Sequence, residues 1–269
     1  MRLIQAAAVA VLIAGSALAA DDLPKNPLID GESWADLRGD VVGDATIADG
    51  SAVFTVDAPY RAHDAATVPI LIKQTDMDAH IARATVVIDE NPAPVAGEFV
   101  FGDALAPLNF EMRVRVNQYS NVRVLAETDE GLLMNGRFVK ASGGCSAPAS
   151  RDPEVALASM GQMKLKLFGT EAQMSTPRRE AQIMIRHPNY SGLQRDQITQ
   201  LFIAAHFIDT IELYQGEDML FTMTGGISIS ENPVFRFEYD DNGSTSLRVR
   251  ATDTEGNVFE QELPKAAQS

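Results

Sequence analysis

The residue with the most distinctive chemistry is Cys145, the one cysteine in the 269-residue chain. It lies in segment 141–150 (ASGGCSAPAS), which contains no large apolar side chain. Gly143 and Gly144 precede it, and glycine adopts backbone conformations that other residues avoid. Loops of this composition usually run over the surface. The segment therefore predicts an exposed thiol on a flexible arm, a group that could serve as a nucleophile, a soft metal ligand or a covalent carrier.

A lone cysteine has other uses, and each makes a different demand on its surroundings. Most single cysteines are small buried hydrophobic residues, but the small and polar neighbours of Cys145 argue against that use. A cysteine hydrolase needs a histidine base held beside the thiolate, for which the candidates are His63, His80, His187 and His206. Because a glycine tether blurs the fixed geometry that catalysis requires, we expect no catalytic residues and no enzyme activity.

A metal site is also disfavoured by the residue types. Zinc sites need clustered cysteines or histidines, and this chain has one cysteine and four scattered histidines. A copper site made by Cys145 and one histidine stays open. His187 and His206 each border an apolar stretch, where satisfied structural histidines are more common. We expect no metal and no cofactor.

Two cations flank the arm, namely Lys140 and Arg151. A nearby cation favours the thiolate form of a cysteine, although water and salt screen that effect on an exposed segment. Ordinary surface charge explains the two residues equally well.

The first 19 residues are typical of a secretory signal peptide. Arg2 provides the positive start, residues 3–14 are mostly apolar, and Ala17-Leu18-Ala19 is a small-x-small cleavage site. The apolar run is too short to span a bilayer. This pattern predicts export to the periplasm, where an unpaired cysteine is unusual.

The charge of the chain limits its partners. It carries 22 Lys and Arg against 37 Asp and Glu, a net charge of −15. Such a surface argues against nucleic acid and anionic lipid as partners, since both carry the same sign. The remaining function classes are those of a protein that meets other proteins or small molecules.

Short alternating segments with turn signals between them predict an all-β fold. A short N-terminal helix over 26–39, capped by Asp30 and with Trp34 and Leu37 facing inward, comes first. The period-two pattern that follows is typical of a β-sandwich. Two sandwiches in tandem are predicted, at 20–141 and 156–269, joined by a flexible thiol-bearing linker at 142–155. The segments read as strands are 50–56, 67–73, 84–89, 97–101, 110–116, 122–127, 160–168, 180–186, 200–206, 209–214, 218–224, 234–239, 246–251 and 258–262.

A set of short motifs, in order, resembles the sulfur-oxidation carrier proteins SoxY and SoxZ fused in one chain. The SoxY-like landmarks are Ala65–Ile70, Asp89–Pro94, Asn121–Val122 and Gly143–Cys145. The SoxZ-like landmarks are Ile185–Gly192, Ala204–Ile208, Ile229–Pro233 and Thr252–Gly256. Each motif is weak alone, and the order makes the set specific.

The resemblance implies two immunoglobulin-like domains that pair within the chain and carry sulfur. In that family the cysteine, here Cys145, holds sulfur intermediates covalently and presents them to periplasmic sulfur-oxidising enzymes. Proteins of this kind are also associated with quinoprotein dehydrogenases and their cytochromes, so the alternative is an accessory or maturation module for such an enzyme. The family's cysteine lies near a free C-terminus between glycine pairs, whereas Ser146-Ala147-Pro148 and a whole domain follow Cys145 here. An arm tethered at both ends reaches less far.

Overall fold

The computed structural model describes residues 26–148, 153–169 and 177–265. The predicted signal peptide at 1–19 lies outside these ranges. Helix α1 spans Glu32–Val42 and helix α2 spans Pro153–Ala158, with single 3-10 turns at Asp103–Leu105 and Gly144–Ser146. Neither α-helix is long and apolar enough to cross a membrane.

Fifteen strands make up nearly half of the described chain, and their alternating burial explains why the sequence predicts them. In β3 and β14, for example, every second side chain is buried, because successive residues of a strand face opposite sides. The strands of the first half are β1 Ile47–Asp49, β2 Phe54–Asp57, β3 Val68–Gln74, β4 Ile81–Ile88, β5 Val95–Phe101, β6 Asn109–Val114, β7 Ser120–Thr128 and β8 Gly131–Val139. Those of the second half are β9 Met163–Phe168, β10 Arg178–Ile185, β11 Ile208–Gln215, β12 Asp218–Gly225, β13 Val234–Asp240, β14 Ser246–Asp253 and β15 Val258–Pro264.

Each half contributes strands to two sheets, and the sheets run across both halves. The larger sheet has nine strands in the order β1-β8-β7-β4-β5-β12-β11-β14-β15, and the smaller has six in the order β2-β3-β6-β13-β10-β9. The halves meet where β5 pairs with β12 and β6 pairs with β13, both antiparallel. The all-β prediction is confirmed. The two sandwiches also pair edge to edge, which removes exposed strand edges that would otherwise invite aggregation.

Phenylalanine rings fill the core where the halves meet. Phe110 of β6 lies 5.2 Å from Phe99 of β5 and 5.2 Å from Phe221 of β12, measured between ring centroids and with edge-to-face geometry. Phe221 in turn lies 5.6 Å from Phe235 of β13. Buried aromatic pairs in this geometry contribute about 0.5–1.5 kcal/mol beyond their area. Side chains from both halves therefore share one core.

Three details differ from the sequence-based expectations. Helix α1 follows Gly31 rather than an Asp30 cap, and it buries no residue fully. Trp34 lies half-buried on the outside of the sheet, with the Arg123 guanidinium carbon 4.7 Å from its ring centroid. The segment 200–206, predicted as a strand, is irregular because its apolar residues lie at the surface, where Leu201 and Phe202 are 69% and 61% exposed.

Candidate functional site

The structure buries Cys145 completely, with 0% of its surface exposed. The expectation of an exposed thiol is therefore wrong for this conformation. Segment 142–148 lies against the junction of the two halves, in the part of the predicted linker that the structure describes. The rest of the linker that was predicted to be flexible includes residues outside the described ranges and the start of helix α2.

The first half holds the segment through its backbone. The amide N–H of Gly143 donates to the carbonyl of Asn117 at 2.8 Å, and that of Gly144 donates to Val116 at 3.1 Å. Both acceptors directly follow β6. Because buried backbone groups are costly to leave unpaired, these bonds favour the closed position of the segment.

The two glycines allow a close approach of the segment to the sheet. Gly143 has φ 78°, a left-handed conformation that glycine adopts without strain. A Cβ on Gly144 would lie 2.1 Å from the carbonyl oxygen of Ala65 and 2.7 Å from that of Val116. In this conformation the glycines provide a tight turn and a close contact. Their predicted role in flexibility stays a prediction.

The second half closes over the segment with one loop, residues 187–194. The Ser191 hydroxyl donates to the carbonyl of Cys145, and the Gln194 side-chain amide donates to the carbonyl of Ala147 at 3.0 Å. Ser191 is itself buried. The second half thus holds the backbone of the thiol segment, a contact between the halves that no local pattern around Cys145 indicates.

Replacing Ser191 with alanine tests whether this loop holds the segment in solution. Loss of one neutral hydrogen bond costs about 1 kcal/mol, which corresponds to a roughly fivefold larger open fraction. We expect the rate of Cys145 alkylation in the folded protein to rise by that factor. Ser142→Ala is the matched control, because Ser142 is exposed in the same segment. Equal alkylation rates in Ser191→Ala and the unmodified protein would contradict the role of this bond.

Burial and one cation set the acidity of the thiol. Burial raises the pKa of Cys145 above its ordinary value, and the positive charge of Arg115 lowers it in part. A raised pKa leaves the closed thiol protonated at neutral pH, and only the thiolate is a strong nucleophile. The closed conformation is therefore an unreactive one.

Of the two cations that flank the Cys145 segment in sequence, Lys140 lies beside two tyrosine rings. The Lys140 ammonium lies 4.7 Å from the centroid of the Tyr60 ring and 5.9 Å from that of Tyr119. Lys140 thus contacts aromatic faces at the surface beside the segment. Arg151 lies outside the described residues.

Within the described ranges, no histidine hydrogen-bonds or pairs with Cys145. His63 is exposed, and His80 lies at the surface 3.6 Å from Asp103. His187 and His206 both face Asp253 instead. The pairing of nucleophile and base that a cysteine hydrolase requires is not made in this conformation.

His187 and His206 form a buried cluster with Asp253, which sequence reasoning missed. The Nε2 atoms of His187 and His206 lie 3.3 Å and 2.7 Å from one oxygen of Asp253. Burial raises the pKa of Asp253, but hydrogen bonds from Asn257 and both histidines outweigh this and lower it to about 2. The carboxylate therefore stays ionised, and the prediction of satisfied structural histidines is confirmed.

The same three residues have the types and spacing of a metal site, since their ligand atoms lie within 4.8 Å of one another. However, the backbone N–H of Asn189 donates to Nδ1 of His187 at 3.0 Å. Neutral His187 must then carry its proton on Nε2, where it donates to Asp253. A metal needs the lone pair of that nitrogen, so this arrangement fits a hydrogen-bonded cluster and not a metal centre.

Comparison with known proteins assigns each half of the chain to a protein family. Residues 38–145 match the family model of the sulfur oxidation protein SoxY, and residues 170–264 match that of the sulphur oxidation protein SoxZ. The chain belongs to the SoxY and SoxZ families, fused in that order. Together the matches cover well over half of the chain, and they make the two described halves immunoglobulin-like β-sandwiches.

Two further comparisons add little to this assignment. The solved structure of the sulfur carrier protein SoxY from Chlorobium limicola f thiosulfatophilum shares 22% identity and has a TM-score of 0.33. The match covers 40% of this chain and 96% of that one. No curated protein is significantly similar to the chain.

The SoxY match ends at Cys145 itself. The SoxY and SoxZ parts form an intramolecular pair, and the cysteine lies where the two parts meet. SoxY and SoxZ are carrier or accessory proteins of sulfur oxidation, which agrees with the expectation of a protein that is not an enzyme.

Proposed function

We propose that this SoxYZ protein is a periplasmic carrier that holds sulfur intermediates covalently on Cys145 and presents them to partner enzymes. The observation that carries the proposal is the coincidence of three features at one residue. Cys145 is the single cysteine of the chain, it ends the SoxY match, and it lies at the contact between the SoxY and SoxZ halves. The signal-like N-terminus supports the periplasmic location.

Burial of the thiol adds a step that a free tail would not need. Loading and unloading require the segment to leave the sheet, which breaks the backbone bonds at Gly143 and Gly144 and the bonds from Ser191 and Gln194. Opening of a short segment held by a few hydrogen bonds belongs to the low-energy local openings of a protein. Gly143 and Gly144 would serve as the hinge, since they tolerate the changed backbone angles.

A surface cleft gives partners a place to meet the segment. It has a volume of about 380 Å³ and is lined by Ser146 and Pro148 on one side and by 193–200 loop residues on the other. Next to it, Ile198, Leu201 and Phe202 are 92%, 69% and 61% exposed. An enzyme that binds here would contact both the thiol segment and the loop that closes it.

The test is the mass of the intact protein after exposure to sulfur donors. We expect reduced protein incubated with polysulfide, or with thiosulfate and an oxidising cytochrome, to gain sulfur on one residue. Cys145→Ser should gain none. The Ser142→Ala variant controls for changes elsewhere in the segment.

Two results would contradict the carrier function. Adducts that persist in Cys145→Ser would place the chemistry on another group. An unmodified protein that gains no sulfur, together with a Cys145→Ser variant that still supports a co-purifying quinoprotein dehydrogenase, would identify an accessory module instead.

A further inference from the structure

Arg115 occupies a position where an alternating strand places an exposed residue. In β6 and the residues after it, Phe110, Met112 and Val114 face the core, whereas Arg113 on the opposite face is exposed. Arg115 shares that outer face, yet only 1% of it is exposed. The segment 227–231 of the SoxZ half covers it, and the Cys145 segment bonds to the next two residues of the chain.

The buried guanidinium is incompletely paired. Its Nη1 donates to the carbonyls of Ile227 and Ile229, whereas its Nε is buried and has no hydrogen-bond partner among the described residues. A guanidinium has five N–H donors, and a buried donor left unpaired is unfavourable, more so in a charged group. Carbonyl partners are neutral, so these two hydrogen bonds bring no opposite charge to the guanidinium.

Two groups that are negative when ionised, Cys145 and Glu231, act on the positive charge of Arg115. Burial lowers the pKa of Arg115, whereas negative charge on Cys145, present when it is a thiolate, and then on Glu231 raises it again. Cys145 and Arg115 are neighbours in the fold, because the N–H of Gly144, the residue before Cys145, donates to the carbonyl of Val116, the residue after Arg115. In the reduced, closed protein the sulfur of Cys145 is a neutral thiol, because burial raises its pKa. Glu231 already acts on this cation as one negative charge, and a charged sulfur on Cys145 would add a second.

We propose that Arg115 is the binding site for an anionic sulfur adduct on Cys145, namely a persulfide, and that it retains the loaded cysteine in the closed conformation. A persulfide adds one atom to the side chain and is a stronger acid than a thiol, so it is anionic at neutral pH. Its terminal sulfur would accept the N–H of Arg115 that now lacks a partner. Charge-assisted hydrogen bonds of this kind are the strong ones.

The loading step balances without an added oxidant. In the open conformation the Cys145 thiolate attacks the outer sulfur of thiosulfate. A bond forms between the two sulfurs, the sulfur–sulfur bond of thiosulfate breaks, and sulfite leaves with the electron pair. The products are the Cys145 persulfide anion and sulfite, so charge and electrons are conserved.

The inference rests on the proposed carrier function, and two measurements separate the two ideas. The first uses persulfide-loaded protein and measures by intact mass how fast cyanide removes the added sulfur. We expect removal to be roughly ten- to a hundredfold faster in Arg115→Gln, the range that loss of a hydrogen bond to a charged group produces. Arg113→Gln is the matched control, because Arg113 is exposed and lies two residues before Arg115 in the chain. Equal removal rates in Arg115→Gln and the unmodified protein would overturn the role of Arg115.

The second measurement needs no loading. Thiolate absorbance is followed against pH in the unmodified protein, in Arg115→Gln and in Arg115→Lys. The Arg115→Lys variant keeps a positive charge at this position, and it serves as the test if Arg115→Gln does not fold. The thiolate should form at higher pH in Arg115→Gln than in the unmodified protein, and Arg115→Lys should lie between them. If the unmodified protein never takes up sulfur, the carrier function fails, and this titration still decides whether Arg115 binds an anionic sulfur. Identical titrations of all three proteins would overturn the inference.

Discussion

Replacing Gly144 with alanine is expected to raise the rate of Cys145 alkylation in the folded protein roughly a hundredfold. The added Cβ would lie 2.1 Å from the Ala65 carbonyl oxygen, and backbone atoms cannot turn aside as a flexible side chain can. Overpacking of this kind costs about 1–3 kcal/mol, and at the upper end the open fraction rises by roughly two orders of magnitude. The strain acts on the closed position alone, because an open segment has no contact with Ala65. Alkylation followed by intact mass measures the rate.

Gly143→Ala is the matched control for this experiment. A Cβ there meets nothing closer than 3.9 Å, but φ is 78°, so the cost is only conformational strain. That strain is about 1–2 kcal/mol for a non-glycine residue, and the rise in alkylation should be correspondingly smaller than for Gly144→Ala. If Gly144→Ala reacted no faster than the unmodified protein, the closed segment would not be the main conformation in solution.

The alternation of apolar residues predicted the strands well because that pattern is local. Thirteen of the fourteen segments read as strands from the sequence overlap observed ones, and 200–206 is the exception. Local alternation cannot say which strand edges meet. The pairing of β5 with β12 and of β6 with β13 depends on surfaces contributed by distant parts of the chain. Only the resemblance to two paired families pointed to it.

The site was harder to predict for the same reason. The absence of large apolar side chains from segment 141–150 predicted an exposed arm, but small residues also allow close backbone contact, and Ala141, Gly144 and Cys145 are buried. Arg115 follows an alternating strand and reads as a surface cation until the SoxZ half covers it. A pair of glycines before a cysteine is a signal for close approach as much as for flexibility, and the distances at Gly144 decide between the two.

The loop that donates hydrogen bonds to the Cys145 segment is anchored by the histidine cluster. His187 begins this loop, its Nδ1 accepts the N–H of Asn189, and the N–H of His206 donates to the carbonyl of Tyr190 at 2.9 Å. Ser191, the next residue, donates to Cys145. The hydrogen bonds at Asp253 and the closed position of the thiol are therefore linked through five consecutive residues. A change at Asp253 should reach Cys145 through this loop.

Replacing Asp253 with alanine should lower the free energy of unfolding by about 3 kcal/mol, because buried donors of two histidines and Asn257 lose their charged acceptor. Urea unfolding at neutral pH measures this. The matched control is Glu255→Ala. The Glu255 carboxylate is 61% exposed and lies 3.7 Å from His206, so its removal should lower the free energy of unfolding by no more than about 0.5 kcal/mol. Cys145 alkylation should rise in Asp253→Ala and not in Glu255→Ala. A loss below about 1 kcal/mol in Asp253→Ala would contradict the anchoring role of the cluster.

The pH dependence of stability distinguishes the two kinds of group in this cluster. Burial lowers the pKa of His187 below its ordinary 6.5, with smaller contributions of both signs from its neighbours. The unfolded chain then binds a proton that the folded one does not, so stability is full above pH 6.5 and falls as the pH drops below it. Asp253, with a pKa of about 2 against an ordinary 3.8, loses its contribution only as the pH falls from 3.8 towards 2.

Because Asp253 raises the pKa of His187, Asp253→Ala should lose more stability than the unmodified protein on acidification from about pH 7 to about pH 5. His187→Gln should lose less, and an equal loss in all three proteins would show that His187 is not buried in its neutral form.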